Sequence, residues 1–144
     1  MYQTVLVPVD DVETMEPAFE HAAEVAGRRD ATIHLLHVVD KRAFITLDEA
    51  MKADVERELV EQGEATVAAA ADWFTDVGVA TETACVSGDP AEEILTFAGE
   101  IGADLLVMGT RRSDYQQSML GSVSQKVTGN TDVPVLTVNV AGEE

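Results

Sequence analysis

Short runs of apolar residues alternate along the chain with longer segments in which apolar residues recur every three to four positions. The short runs are rich in β-branched residues, as expected of strands that are buried on both faces. They cover residues 4–9, 32–39, 80–86, 105–108 and 133–138. The longer segments have the periodicity of amphipathic helices. Strands that alternate with helices in this way predict βαβ units and a parallel sheet.

Capping and breaking signals place the predicted helices between these strands. Proline fits the first turn of a helix, so Glu16-Pro17 opens the first helix and Asp89-Pro90 opens the third. The second helix covers about residues 48–76, and Gly63 predicts a bend or break within it. The fourth helix is predicted to open at Gly121.

These elements predict an α/β fold with an open, doubly wound, five-stranded parallel sheet, which is a three-layer α/β/α sandwich. No repeat or linker is visible, so residues 1–144 are expected to form a single domain. Open parallel sheets bind ligands beyond the carboxyl ends of their strands, at the point where the strand order reverses. Chain direction therefore directs attention to residues 10–13, 38–41 and 109–122.

The composition excludes several classes of protein. Apolar residues make up 46% of the chain and charged residues 25%, which is enough apolar material for one core. No window approaches 18 uncharged apolar residues, and the N-terminus lacks the pattern of a signal peptide. We therefore expect a cytoplasmic protein that does not enter a membrane. The single cysteine, Cys85, excludes an internal disulfide and a multi-cysteine metal site.

The charge of the chain is strongly negative. Asp and Glu number 27 against nine Lys and Arg, which gives a formal net charge of −18. Such a surface repels phosphate backbones, so general binding of nucleic acid is not expected. Two interpretations stay open, an ordinary acidic protein and a halophilic protein adapted to a salt-rich cytoplasm, where screening relieves self-repulsion.

Several enzyme and metal signatures are absent from the sequence. It contains no Gly-x-Gly dinucleotide fingerprint and no P-loop, and its GSVSQ segment is not a nucleophile elbow. His34 and His37 are three residues apart in a strand and therefore lie on opposite faces, so a histidine metal site is not expected. No catalytic residue can be assigned from these patterns.

The segment from Gly109 to the predicted helix at Gly121 has the features of an anion site. A glycine directly after a buried strand lets a ligand approach the backbone closely. At the start of the last helix, the amides of residues 122–124 would be free, with the positive end of the helix dipole behind them. Arg111 and Arg112 add two positive charges to the same segment.

Six motifs in the order of the chain resemble the universal stress protein (UspA) family, from about residue 4 to residue 140. They are VLVPVD (residues 5–10), LLHVVD (35–40), GDPAEEIL (88–95), DLLVMGTRR (104–112), LGSVSQKV (120–127) and VPVLTV (133–138). The resemblance implies a fold of the adenine-nucleotide-hydrolase type and a homodimer. It also implies a possible ATP site, because one branch of the family binds ATP.

Carried over to this sequence, the resemblance gives each matching residue a role in that site. Pro8 and Asp10 would lie beside the adenosine, and the Val38 backbone would contact the base. Met108 and Gly109 would line the pocket. The phosphates would be held by Gly121, Ser122, Val123 and Ser124.

The sequence departs from the family pattern Gly-x2-Gly-x9-Gly-[Ser/Thr] of the ATP-binding branch. Arg112 stands where the middle glycine is expected, and the following loop is one residue shorter. A Cβ at that position hinders the wrapping of backbone amides around a phosphate. In addition, Asp11 places a second negative charge next to Asp10. The arginines either replace the lost backbone contacts or mark a degenerate site.

The last strand predicts a partner. Residues 135–140 form an apolar run at the expected edge of the sheet, and an unprotected apolar edge invites pairing. The family resemblance implies that two copies pair through this strand.

These observations together predict a homodimeric stress-response protein that binds ATP or a related adenine nucleotide as a sensor. Mg²⁺ would accompany a triphosphate. One alternative is an interaction module with a degenerate, non-binding site. Another is a weak ATPase or nucleotide transferase, for which only Asp10 or Asp11 is available as a general base.

Overall fold

The computed structural model describes residues 2–110 and 119–140, with the backbone alone at residues 28–29 and 119–122. Helices and strands follow one another in the predicted order. The strands are β1 (Thr4–Pro8), β2 (Thr32–Asp40), β3 (Ala80–Gly88), β4 (Leu105–Thr110) and β5 (Val135–Asn139). The helices are α1 (Val12–Arg29), α2 (Glu49–Asp76), α3 (Pro90–Ile101) and α4 (Met119–Thr128). A short 3-10 helix, Lys41–Ala43, follows β2.

The five strands are parallel and lie in the order β3-β2-β1-β4-β5. The chain runs outward from β1 to β3 and then crosses to the other side of β1 to add β4 and β5. The strand order therefore reverses between β1 and β4, which confirms the doubly wound α/β fold. The apolar runs that predicted the two central strands are buried, as the pattern requires. Their fully buried members are Val5, Leu6, Val7, Leu106 and Val107.

Two apolar layers hold the helices to the sheet. On one face, α1 and α2 meet through Phe19, Trp73 and Phe74, whose ring centroids are 5.0 to 5.5 Å apart in tilted and edge-on arrangements. On the other face, α3 and α4 pack on Leu6 and Leu106 of the central strands. The helix residues in that second layer include Ala91, Ile94, Ala98, Val123 and Val127.

An aspartate side chain caps each of the first three helices. Each carboxylate accepts a hydrogen bond from the backbone N–H three residues further on, at 2.7 to 3.1 Å. The caps are Asp11, Asp48 and Asp89. Such a cap stabilises a helix by about 1 kcal/mol, and its charge is favourable beside the positive end of the helix dipole. Among the helices in the described part of the chain, none is both long enough and apolar enough to span a membrane.

The start of α1 differs from the predicted start at Glu16-Pro17. The helix begins at Val12, four residues earlier, because Asp11 caps it there and accepts from the Thr14 amide at 2.7 Å. Pro17 lies inside the second turn, where it has no N–H to donate to the carbonyl four residues before it. The Asp11 cap therefore determines where the helix starts, and the prediction from Pro17 of a start at residue 16 is wrong.

α2 is continuous through Gly63, so the predicted bend or break is wrong. Gly63 is buried, and a Cβ added there would lie 2.6 Å from His37 Cδ2 and 2.7 Å from Cys85 Sγ. The glycine is therefore required by the close approach of α2 to β2 and β3. Cys85 is half-buried in this contact, which raises the pKa of its thiol, and the negative charge of Glu64 adds to that effect.

The contact at Gly63 predicts opposite effects of alanine at two helical glycines. Gly63→Ala should lower the free energy of unfolding by about 1–3 kcal/mol, because its methyl group meets His37 and Cys85. Gly99→Ala in α3 should raise it by up to about 1 kcal/mol, since no atom lies within 4 Å of its added Cβ and alanine is the better helix former. Urea unfolding measures both.

A double variant checks the cause of the Gly63 effect. Adding Cys85→Ala to Gly63→Ala removes one of the two close contacts and should restore part of the lost stability. Equal stabilities of the Gly63→Ala and Gly99→Ala proteins would contradict this account of the glycine.

Candidate functional site

A cleft of about 190 Å³ opens at the carboxyl ends of β1, β2 and β4, where the strand order reverses. This is the place that chain direction predicted. The structure brings six of the eleven predicted site residues together in its walls. These six are Pro8, Asp10, Val38, Met108, Gly109 and Val123.

The other five predicted residues are not part of the described cleft wall. Arg111 and Arg112 lie outside the described residues. Gly121 and Ser122 lie in the first turn of α4, where the backbone alone is described. Ser124 is buried in α4 and does not line the cleft. The part of the prediction that concerns phosphates therefore stays a prediction.

The start of α4 corrects the position of the predicted free amides. The helix begins at Met119, two residues before Gly121. In an α-helix the free N–H groups belong to the first residues, and later amides donate to the carbonyl four residues earlier. The amides of Val123 and Ser124 therefore lie inside the helix, and the free ones are those of residues 119–121. Leucine and methionine are good helix formers, which explains why residues 119 and 120 continue the helix.

Sequence reasoning assigned no site role to five further residues that line the cleft, although one of them, Asp40, lies in the indicated segment 38–41. They are Val9, Leu36, Asp40, Pro90 and Ile94. Leu36 and Asp40 lie two residues on either side of Val38, so strand alternation would have placed them on the same face. Pro90 and Ile94 come from α3, whose position over the carboxyl ends of the strands depends on tertiary packing that no local motif describes.

The cleft lies where β1 and β4 part. β1 pairs with β2 over all five of its residues, Thr4–Pro8. It pairs with β4 only at Val5 and Leu6. Beyond these two residues β1 and β4 have no register partners in each other, and the space between them is open to ligands.

Pro8 explains this parting of the strands. Residues along a strand direct their backbone groups to alternate sides. Thr4 faces β4, because its carbonyl accepts from the Asp104 amide at 2.9 Å, whereas Val9 faces β2 and donates to the Leu36 carbonyl at 2.8 Å. Pro8 therefore occupies a position that faces β4, but proline has no N–H to donate. The hydrogen-bond ladder between β1 and β4 ends there.

Two hydrogen bonds between Val9 and residues of β2 fix the position of the chain just after β1. The Val9 N–H donates to the Leu36 carbonyl, and the Val9 carbonyl accepts from Nδ1 of His37 at 2.8 Å. Because a carbonyl oxygen only accepts, Nδ1 of His37 carries the proton. His37 is thus a hydrogen-bonded structural histidine, and it fixes the residue directly before Asp10.

Gly109 has a packing role in addition to the one predicted. A Cβ at this position would lie 2.7 Å from Met15 Sδ and 3.1 Å from Val140 Cγ1, on the face of β4 that α1 covers. The glycine is needed for the packing of α1, whereas the neighbouring Met108 side chain belongs to the layer on the cleft face. The Gly109 backbone still forms part of the cleft wall.

The neighbouring carboxylates of Asp10 and Asp11 have different surroundings near the cleft. Asp10 is exposed at the cleft edge. The Asp11 carboxylate, predicted as a second negative charge beside a ligand, is engaged as the cap of α1, where the helix dipole offsets part of its charge. Thr110 adds a hydroxyl oxygen that is enclosed and has no hydrogen-bond partner among the described residues.

Within residues 2–110 and 119–140, no group of three His, Cys, Asp or Glu side chains is arranged to hold a metal ion.

Asp40 is held in place by the residue two positions further on. Arg42 donates through Nη2 to Oδ2 at 2.6 Å, through Nε to both carboxylate oxygens at 3.1 Å, and through its amide to Oδ1 at 3.0 Å. The hydrogen bonds from this guanidinium hold the pKa of Asp40 below its ordinary value of 3.8. Asp40 is therefore ionised at neutral pH, with its carboxylate in a fixed orientation.

Removing the guanidinium should shift the titration of Asp40. Arg42→Gln is expected to raise the pKa of Asp40 toward its ordinary value, measured by NMR of the side-chain carboxyl. A lowered pKa in the folded state stabilises the protein above the unfolded value, and this contribution is lost as the pH falls through the folded value. The variant should therefore be less stable than the natural chain at neutral pH, and the difference should vanish in acid.

Arg57→Gln is the matched control for that titration. Arg57 forms a similar exposed pair with Asp54 on α2, so its loss should leave the Asp40 titration unchanged. An unchanged Asp40 midpoint in Arg42→Gln would contradict the assigned cause of the shift.

Comparison with known proteins identifies the family. The family model described as the universal stress protein family matches residues 1–139. Universal stress protein MJ0531 of Methanocaldococcus jannaschii is 32% identical over 146 residues, which cover 100% of this chain and 86% of the relative. The solved structure of MJ0577 from the same organism aligns with a TM-score of 0.86 at 29% identity, over 99% of both chains.

A solved universal stress protein from Archaeoglobus fulgidus, in complex with dAMP, has the same fold. It aligns with a TM-score of 0.70 at 21% identity, over 96% of this chain and 98% of that one. The six motifs, the order of the strands and these whole-length matches agree with one another. The chain therefore belongs to the universal stress protein family.

Proposed function

We propose that this protein binds an adenine nucleotide in the cleft between β1 and β4, and acts as a binding sensor in a stress response. The observation that carries the proposal is the cleft itself. It lies at the reversal of strand order, and its walls contain Pro8, Asp10, Val38, Met108 and Gly109, which the sequence motifs had indicated.

The size and lining of the cleft suit the base and sugar of a nucleotide. Pockets that enclose a whole small ligand have volumes of roughly 300–1,000 Å³, so a cleft of about 190 Å³ accommodates only part of a mononucleotide. The apolar side chains in the cleft wall, such as Val38, Ile94 and Met108, can make van der Waals contacts with the face of a base. We expect the phosphates to extend from the cleft toward the start of α4, where free helix amides favour an anion.

Several of the few positive charges follow, in the sequence, the strands that end at this edge of the sheet. Of the nine Lys and Arg residues, four lie in the two segments that directly follow β2 and β4. They are Lys41, Arg42, Arg111 and Arg112. In a chain with a net charge of −18, this placement offsets the repulsion that a phosphate would meet.

Adenine is the base that the comparisons favour. The related protein from Archaeoglobus fulgidus was solved in complex with dAMP, and its fold aligns with this chain over nearly its whole length. A ligand of the same class in the cleft of this chain, with ATP as the first to be tested, is the simplest extension of that finding.

Binding is a better account of this site than turnover. The sequence offered Asp10 and Asp11 as general bases, but Asp11 is engaged in capping α1 and Asp10 is exposed at the cleft edge. Asp40, the other carboxylate in the cleft wall, is bound to Arg42. Mg²⁺ would enter with a triphosphate, held mainly by phosphate oxygens and water.

Filling the cleft should abolish nucleotide binding. Val38→Trp places a large side chain in the cleft wall and is expected to weaken ATP binding at least ten-fold, measured by calorimetry in high KCl. Val77→Trp is the matched control, because Val77 is 53% exposed at the end of α2 and does not line the cleft. Circular dichroism verifies that both variants are folded.

The natural chain provides the decisive measurement. Denaturing the purified protein should release an adenine nucleotide that mass spectrometry identifies. If no nucleotide is released and the calorimetric titration with ATP shows no heat of binding, the proposal is rejected. The degenerate glycine pattern would then favour an interaction module with a vacant cleft.

We also propose that the protein is a homodimer, and the outer edge of β5 supports this. Pro134 and Val140 direct their backbone groups to β4, since the Pro134 carbonyl accepts from Leu106 and the Val140 amide donates to Thr110. By alternation, residues 135 and 137 direct theirs outward, where a second copy of the strand can pair with them.

Removing one outward donor should therefore disrupt the dimer. The natural chain is expected to have a light-scattering mass of twice 15.4 kDa. Thr137→Pro removes an N–H that faces away from β4 and should shift the protein toward the mass of a single chain. Thr137→Ala keeps that N–H and should stay dimeric. A natural chain that is monomeric at micromolar concentration would refute the dimer.

A further inference from the structure

Two carboxylates line the cleft, and only one of them has a fixed orientation. The Asp10 side chain is exposed, and no hydrogen bond to another described residue orients it. Asp40, by contrast, ends β2 inside the cleft, with 22% of its side chain exposed and its carboxylate bound to Arg42 by three N–H groups. An oriented acceptor in a ligand cleft is a feature that can discriminate between ligands.

The strand order indicates which part of a nucleotide would meet Asp40. β2 and β4 lie on opposite sides of β1, so their ends are roughly 10 Å apart at a spacing of about 4.8 Å between strands. The phosphates are expected beside β4 and the start of α4. The base then lies at the far end of the ligand, at the end of β2, where Val38 and Asp40 line the wall.

We propose that Asp40 selects a purine with a 6-amino group over one with a 6-oxo group, and that Arg42 keeps this carboxylate compatible with an anionic ligand. The inference rests on the proposed function, since it concerns the same cleft. An ionised carboxylate only accepts hydrogen bonds. The 6-amino group of adenine donates, whereas the 6-oxo group of guanine and hypoxanthine accepts and would face a negative charge.

The carboxylate of Asp40 retains capacity for one further donor. A carboxylate offers about four acceptor positions. Arg42 supplies three hydrogens, on its amide, Nε and Nη2, and the Nε hydrogen is shared between both oxygens. Because three hydrogens face four positions, one further N–H can donate to the carboxylate. The guanidinium also neutralises the charge of Asp40 at the cleft. Without Arg42, the carboxylate would repel the phosphates of the ligand that it selects.

The test compares AMP and IMP, which carry the same phosphate and differ at the 6-position of the base. Calorimetry on the full chain should show tighter binding of AMP. Asp40→Asn should lower the preference for AMP over IMP about ten-fold, because the asparagine amide can donate to the 6-oxo group and the charged acceptor is lost. Asparagine also retains a side-chain oxygen for the Arg42 amide, which favours normal folding.

Matched variants separate this effect from a general change of charge. Asp54→Asn removes the carboxylate of the exposed pair with Arg57 on α2, outside the cleft, and should leave the AMP preference unchanged. Arg42→Gln should weaken AMP several-fold while leaving uncharged adenosine nearly unaffected, and Arg57→Gln should change neither.

The outcomes distinguish this inference from the proposed function. If the natural chain binds AMP and Asp40→Asn keeps the same preference over IMP, the inference is wrong and nucleotide binding stands. If Asp40→Asn weakens AMP and IMP equally but not their 2′-deoxy forms, Asp40 contacts the ribose and the inference is again wrong. If the natural chain binds neither nucleotide, the proposed function is wrong and this inference with it.

Discussion

The missing backbone donor at Pro8 determines where the sheet opens. β1 is paired with β2 along its whole length, but its ladder with β4 extends only over Val5 and Leu6. The strands can part beyond that point without leaving an unpaired N–H at residue 8. A buried parallel sheet thus contains a cleft without losing a backbone donor, and the two bonds of Val9 to β2 keep the open end rigid.

The acidic residues of this chain also perform structural work. Three aspartates cap helices, where their charge lies beside the positive end of the helix dipole. Asp104 accepts from the amides of Gln3 and Thr4 at 3.0 and 3.1 Å, and so joins the starts of β1 and β4. These carboxylates are placed against N–H groups that need acceptors. A negative chain can therefore fold with many acids in favourable local surroundings.

The sequence predicts the part of the site that depends only on chain direction. Asp10 and Gly109 were expected at the cleft because both lie at the carboxyl ends of strands that parallel pairing brings to one edge. Asp40 lies in the indicated segment 38–41 but was assigned no role, although alternation with Val38 in β2 places it on the same face. Gly63 was misinterpreted as a helix break, and the prediction for Gly109 did not include its contact with α1. Glycine has the same appearance in a sequence whether it bends a chain, admits a ligand or admits a neighbouring side chain, and only tertiary packing separates these cases.

The single tryptophan, Trp73, lies on the face of the sheet that α1 and α2 cover. The cleft wall is completed on the opposite face by Pro90 and Ile94 of α3. The sheet therefore separates the indole from any occupant of the cleft. Its fluorescence is a natural optical marker for loss of the aromatic cluster with Phe19 and Phe74, and direct quenching by an occupant does not complicate that signal.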